Sequence, residues 1–144
     1  MDLSEIGDRL EVTDVITRYT RAIDTRSFAD LPGDVFTPDA VLDYSSVGGP
    51  IGPPDEVVPW VERGLSGFAR YQHIIGQVSI AFAGPERAEA RVTAYFTNPM
   101  VATAPDGTEN LVEVGGYYHH TMVRTVDGWR SRHLIDENVW MRGF

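Results

Sequence analysis

The sequence predicts an α+β domain in which helices come first and antiparallel strands follow. Three observations carry that expectation. Apolar residues recur at helical spacing through the first 24 positions: Val12, Val15, Ile16, Tyr19, Ala22 and Ile23. From Tyr71 onward the period shortens to two. The segments "PERA", "PDGTEN" and "VDG" then punctuate the chain closely enough to join neighbouring antiparallel strands. Helices followed by a run of strands is the order of an α+β domain.

The elements follow in order. A helix spans about residues 4–24, and Asp2 followed by Glu5 has the spacing of a capping box. Leu3, Ile6 and Leu10 lie on a different stripe, so the first turns pack elsewhere or bend. "TRSFADLPGDVFTPDA" (25–40) is turn-rich, with a short helix around Phe28–Leu31. "AVLDYSSV" (40–47) reads as a strand and "GGPIGPP" (48–54) as a loop. "DEVVPWVERGLSGF" (55–68) reads as a helix, with Pro59 tolerated only in its first turn. Four strands complete the chain: 71–84, 89–104, 111–125 and 129–141. Gly76, Gly115 and Gly116 are candidate bend or bulge positions in a sheet curved enough to wrap the helices. No repeat, low-complexity tract or linker interrupts residues 1–144, so a single domain is expected.

Bulk properties narrow the function. At 144 residues, folding buries about two-thirds of the unfolded chain's surface. The hydrophobic fraction is 42% and the charged fraction 23%, which suits a globular core. Lys plus Arg is 12 against 21 for Asp plus Glu, a formal charge of -9. That field repels phosphate backbones and anionic membranes, so neither nucleic acid nor membrane is an expected partner. No apolar run is long enough to span a bilayer. The acidic start "MDLSEIGDRLEV" lacks the basic and apolar regions of a secretory signal. With no cysteine there is no disulfide and no thiolate, and a cytoplasmic protein is expected.

Several polar residues sit where apolar ones would be expected. Tyr19 lies in the helix's apolar stripe; a core tyrosine and a pocket tyrosine both fit. Asp24 closes the same helix, where a carboxylate opposes the macrodipole. A regular helix sets it about 140° from Tyr19, so periodicity alone does not bring the two together. His73 alternates with Tyr71, Ile75 and Gln77 on one strand face, while Ile74, Val78 and Ile80 share the other. Asn98 shares a face with Val92, Ala94 and Phe96 and needs partners there, with Pro99 interrupting the strand beside it. Tyr44, rather than Asp43, is the inward residue of its pair. His119 and His120 face opposite ways and cannot share a metal, and no His-x-x-x-His or carboxylate cluster is present. The "GGPIG" run lacks the Lys-Ser/Thr of a phosphate loop, and no serine sits in a Gly-x-Ser-x-Gly elbow.

The order helix, "RYTRAID", "FTPDAVLDYS", "YQHIIG", "GGYYHHTMVRTVDGWR" resembles the SnoaL-like branch of the nuclear-transport-factor-2-like superfamily. Its members include scytalone dehydratase, bile-acid 7α-dehydratase, hexachlorocyclohexane dehydrochlorinase and polyketide cyclases. The resemblance covers nearly the whole chain, and "FTPDAVLDYS" and "VRTVDGWR" are its most specific parts. It implies a cone-shaped barrel, N-terminal helices on a strongly curved, mostly antiparallel sheet, with a ligand cavity inside.

The resemblance also implies roles. Asp24 falls where the family keeps an aspartate that orients a catalytic histidine, and His73 where that histidine is kept. Tyr19 and Tyr44 are similar to tyrosines of family dehydratases. Asn98 falls near a strand position that holds a histidine or aspartate in dehydratases, and Leu134 where many relatives carry an arginine; both are departures. His73 becomes the general base beside a substrate carbonyl, Asp24 holds its tautomer, and Tyr19 and Tyr44 donate to the developing oxyanion. Trp60, Phe68, Phe96, Val92, Tyr118 and Met122 line an apolar, substrate-binding pocket, with His120 as a second acid/base candidate. The implied activity is cofactor-independent elimination, cyclisation or isomerisation of a small hydrophobic carbonyl, polyketide-like or steroid-like compound, with no metal. The rival is a non-catalytic ligand carrier or scaffold, similar to the small subunit of aromatic-ring dioxygenases. A homodimer or homotrimer is expected if Ile74, Val78 and Ile80 face outward from the sheet.

Overall fold

The computed structural model describes residues 1–144. Helix α1 (Leu3–Asp24) begins where the Asp2 carboxylate accepts the Glu5 N–H at 2.8 Å. Its buried face is the periodic one: Val12, Val15, Ile16, Tyr19 and Ile23. Leu3 and Leu10 stay in solvent. A short turn at Phe28–Asp30 leads into α2 (Leu31–Asp34). Strands β1 (Phe36–Asp43) and β2 (Ile51–Gly52) precede α3 (Pro54–Leu65). The remaining strands are β3 (Arg70–Tyr71), β4 (Ile74–Ala83), β5 (Glu89–Thr103), β6 (Glu109–Thr125) and β7 (Gly128–Arg142).

One sheet joins them in the order β2-β1-β7-β6-β5-β3, with β4 also paired to β5. Only β1 and β7 run parallel. Long β5, β6 and β7 curve around α1, and the helix packs its apolar face into the concave side. The expected α+β cone is therefore present. No helix is long and apolar enough to cross a membrane.

Curvature comes from register shifts. One separates Gly115 from Gly116 on β6. A Cβ on Gly116 would run into the Glu137 carbonyl oxygen, and one on Gly115 into the Trp140 indole. Only glycine lets β6 and β7 approach that closely. A second shift lies in β4 between Ile75 and Val78, at Gly76.

Several local expectations change. The strand expected over 40–47 runs earlier and stops at Asp43. There the Asp43 carboxylate accepts both the N–H and the hydroxyl of Ser45, at 2.9 and 2.6 Å, and folds residues 45–47 into a turn. Pro59 lies in the second turn of α3, not the first. The helix continues through it because Val57 and Val58 are buried and Trp60, Val61 and Leu65 pack on the core. Pro99 does not interrupt β5. The strand expected over 71–84 is broken at residues 72–73, since the His73 N–H bonds to Asp24 instead of a ladder partner. The β4 bulge then reverses parity. Val78 and Ile80 turn inward with Ile75 and Phe82, and only Ile74 of the expected outer trio is exposed. The outer apolar face predicted to carry self-association is thus not built from those residues.

Candidate active site

The site grows from the end of α1. Thr25 closes the helix, and Arg26 turns left-handed with φ 58°. From there the Arg26 guanidinium reaches the Phe68 carbonyl at 3.1 Å and lies over the Tyr71 ring at 4.9 Å. Tyr71 donates its hydroxyl to the Ile23 carbonyl at 2.8 Å. These contacts stitch residues 68–73 onto the helix terminus.

Asp24 finishes the joint. Its Oδ2 accepts the His73 backbone N–H at 2.9 Å, and its Oδ1 lies 2.7 Å from His73 Nδ1. One carboxylate therefore holds one residue by backbone and ring at once. Both side chains are largely buried, at 15% and 4% exposure. A carboxylate only accepts, so Nδ1 carries the hydrogen, and in the neutral imidazole Nε2 presents its lone pair. The two residues lie 49 positions apart in the chain. Asp24 remains within the helix; residues 68–73, bonded to the helix end, bring His73 to it.

His73 opens on an apolar cavity of about 270 Å³. Tyr44, Trp60, Phe68, Phe96, Asn98 and Tyr118 line it, together with Ile23, Met100, Val114 and Met141. Phe96 and Tyr118 stack face to face at 4.0 Å between centroids, and the His73 ring lies 6.4 and 6.3 Å from them. Asn98 is buried with its Oδ1 unpartnered.

Four expected pocket residues lie elsewhere. Tyr19 packs its ring edge-on against Tyr118 at 5.3 Å, beneath the cavity floor. Its hydroxyl is buried without a partner, and burial first, then nearby Asp136, pushes its pKa well above the ordinary range. His120 bonds Ser131 Oγ through Nδ1 at 2.8 Å, and burial holds its pKa down at about 3. It is a neutral core imidazole. Val92 and Met122 are fully packed against α1. The face of each strand was right but the depth was not. On β5 the cavity begins beyond Ala94, and on β6 it begins at Tyr118. Everything on the other side of that line is filled by the helix. Leu134 belongs to this closed end and is fully buried.

One titratable cavity residue escaped the sequence reading: Asp136. It pairs in register with Tyr118, is 6% exposed, and leaves Oδ1 buried without a partner. Burial pushes its pKa up to about 7, Asp43 adds to the rise, and the Ser46 hydroxyl opposes it. Strict alternation from Trp129 and Ser131 would aim His133 and Ile135 inward. A bulge at Arg132 reverses parity and aims Leu134 and Asp136 inward instead. A carboxylate beside a buried-strand leucine was the available signal. No three His, Asp or Glu side chains converge closely enough to hold a metal ion.

Fold and site define a small α+β cone with a buried His–Asp pair beside an apolar cavity. Residues 4–135 match the SnoaL-like domain, and the chain belongs to that family. The uncharacterized protein Rv2910c of Mycobacterium tuberculosis is 38% identical over 142 residues, which are 99% of this chain and 92% of that one. Among solved structures, a protein of Novosphingobium aromaticivorans assigned as a scytalone dehydratase superposes with TM-score 0.85 at 15% identity, covering 100% of this chain and 92% of the other. The hexachlorocyclohexane dehydrochlorinase LinA-type3 of Novosphingobium barchaimii gives 0.80 at 13% identity, covering 100% and 94%. At those identities the likeness shows the fold.

Proposed function

We propose that the chain is a cofactor-independent general acid/base enzyme of the lyase or isomerase kind, acting on a small hydrophobic carbonyl compound. The observation that carries this reading is the Asp24–His73 pair, joined at 2.7 Å, with the imidazole facing an apolar cavity. His73 Nε2 takes a proton from the carbon beside the carbonyl. The electron pair of that C–H bond becomes a C=C bond, and the carbonyl π pair moves to oxygen. Asp24 fixes the ring tautomer and stabilises the imidazolium. In this reading Tyr44, which lines the cavity, donates to the oxygen, and Tyr19, which does not line it, takes no part. The sequence has neither cysteine nor lysine, so thiolate and Schiff-base routes are closed.

The cavity volume narrows the substrate. At about 270 Å³ it sits at the small end of ligand pockets, which start near 300 Å³. That favours a one-ring or two-ring compound over a steroid. The names carried by the two structural neighbours, a dehydratase and a dehydrochlorinase, support elimination among the possible reactions. The test is a panel of aryl ketones and β-hydroxy ketones in D2O, followed by NMR for deuterium entering the α-carbon or for loss of water. His73→Gln should abolish either reaction. Turnover of a hit at unchanged rate in that variant sinks the reading.

A further inference from the structure

The mechanism above leaves one buried carboxyl unused. Asp136 lines the cavity that His73 lines, on the strand facing Tyr118. Its Oδ1 is buried with no partner in the protein. No arginine lines the cavity to pair with it, and the chain has no lysine. An unpaired carboxylate in such a place is costly; a neutral carboxylic acid is not, and it brings a hydrogen-bond donor. Asn98 adds a second orphan oxygen to the same cavity.

We propose that Asp136 is the proton donor of this cavity, its carboxylic acid binding the carbonyl oxygen of a neutral ligand. The inference rests on the general-base reading of His73 for its catalytic consequence, but its binding consequence stands alone. In catalysis, His73 takes the α-proton while the Asp136 O–H bond breaks and its proton joins the carbonyl oxygen. The products are an enol, an imidazolium and a carboxylate, so charge and atoms balance. The cycle closes when the imidazolium returns a proton to carbon and the enol returns one to Asp136. The ligand class follows: ketones, esters or lactones enter, and carboxylates are turned away by a cavity without a cation. The groups around Asp136 are Asp43 at the end of β1, Ser46 in the following turn, Tyr118 on β6, Tyr19 on α1 and, lining the same cavity, His73. Asp43 favours the acid form, the Ser46 hydroxyl opposes it, and no permanent cation lines the cavity.

The experiment uses the full chain labelled with carboxyl-13C aspartate, and acetophenone as the probe. The resonance missing from Asp136→Asn identifies the residue. Its titration midpoint should fall near 7, as burial dictates. A midpoint in the ordinary carboxylate range, about 4, overturns the proposal. Acetophenone affinity, read by calorimetry, should fall about tenfold between pH 6 and pH 8, because only the acid form donates. In Asp136→Asn, whose amide donates at every pH, that fall should vanish. Equal affinity at both pH values in the native chain, or an undiminished fall in Asp136→Asn, also overturns it. Running the binding series in a His73→Gln background removes the imidazole's own titration. Binding needs no turnover, so a failed enzyme reading and a failed Asp136 reading give different results.

Discussion

At the residue scale, the two carboxylates of the site are set apart by their partners. Asp24 holds two N–H···O contacts to His73, whereas Asp136 has an orphan oxygen in an apolar cavity. Asp24→Asn keeps the size but ends the clamp, since an amide can present its NH2 to the ring and stabilise the wrong tautomer. If the general-base proposal holds, turnover of a hit substrate drops by about 10³–10⁴-fold, as in other tautomer-reversed His–Asp pairs, with KM little changed; steady-state kinetics decide it. Asp136 has the opposite energetic sign. Its folded pKa lies near 7, above the unfolded carboxyl value. Below the unfolded value both states are protonated and nothing is lost. Between that value and about 7 the unfolded chain ionises first, so rising pH lowers stability. Above about 7 the loss is complete and constant. Asp136→Asn should therefore be more stable than the native chain at pH 8, on the order of 2–4 kcal/mol, and indistinguishable near pH 3. Urea midpoints at the two pH values measure it.

At the scale of elements, the strand that matters most is the one that breaks. Gly116 permits the close approach of β6 and β7 at the register shift beside it. Gly116→Ala would put a methyl against the Glu137 carbonyl, and a backbone atom cannot swing aside as a side chain can. Strands β6 and β7 must part, at a cost of about 1–3 kcal/mol. Hydrogen exchange should quicken at 114–118 and 136–140 while the α1 core keeps its protection. The same elements show what the sequence made legible. Helix α1, the long strands and the glycines at the bends follow from periodicity and punctuation, because each is a local property. The break at His73 is not local, because it is made by an acceptor on Asp24, far back in the chain. Parity after a bulge is not local either. One extra residue at Gly76 turned Val78 and Ile80 inward, and one at Arg132 delivered Asp136 to the cavity. Depth within the cone is least legible of all: Val92, Met122 and His120 share faces with the true lining but lie where α1 fills the barrel.

At the scale of the molecule, the cone divides into a closed end that holds it together and an end that opens on the cavity. The closed end is organised by Asp8, 5% exposed on α1. Arg124 of β6 grips both its oxygens at 2.8 Å, Arg87 donates at 2.9 Å, and the Trp129 indole N–H of β7 donates at 3.1 Å. Arg124 above all, then Arg87 and Trp129, hold the Asp8 carboxyl far below the usual carboxylate range, against the cost of burial. A depressed folded pKa gives stability that is present above the unfolded value and lost as pH falls below it. The native chain should thus weaken as pH falls from about 5 to 2, and Asp8→Ala should flatten that dependence. The same substitution removes the shared carboxylate from two arginines and an indole, at a cost of about 3–5 kcal/mol. Asp8 and Asp24 sit sixteen residues apart on one helix, at opposite ends of the cone. Under the proposed function, Asp8→Ala lowers the melting temperature but leaves kcat of the remaining folded enzyme intact at low temperature. Asp24→Asn does the reverse, erasing kcat with a smaller loss of stability. Paired thermal melts and rates for the two variants test that separation, and a parallel loss of kcat in Asp8→Ala would mean that the helix transmits the anchor at one end to the base at the other.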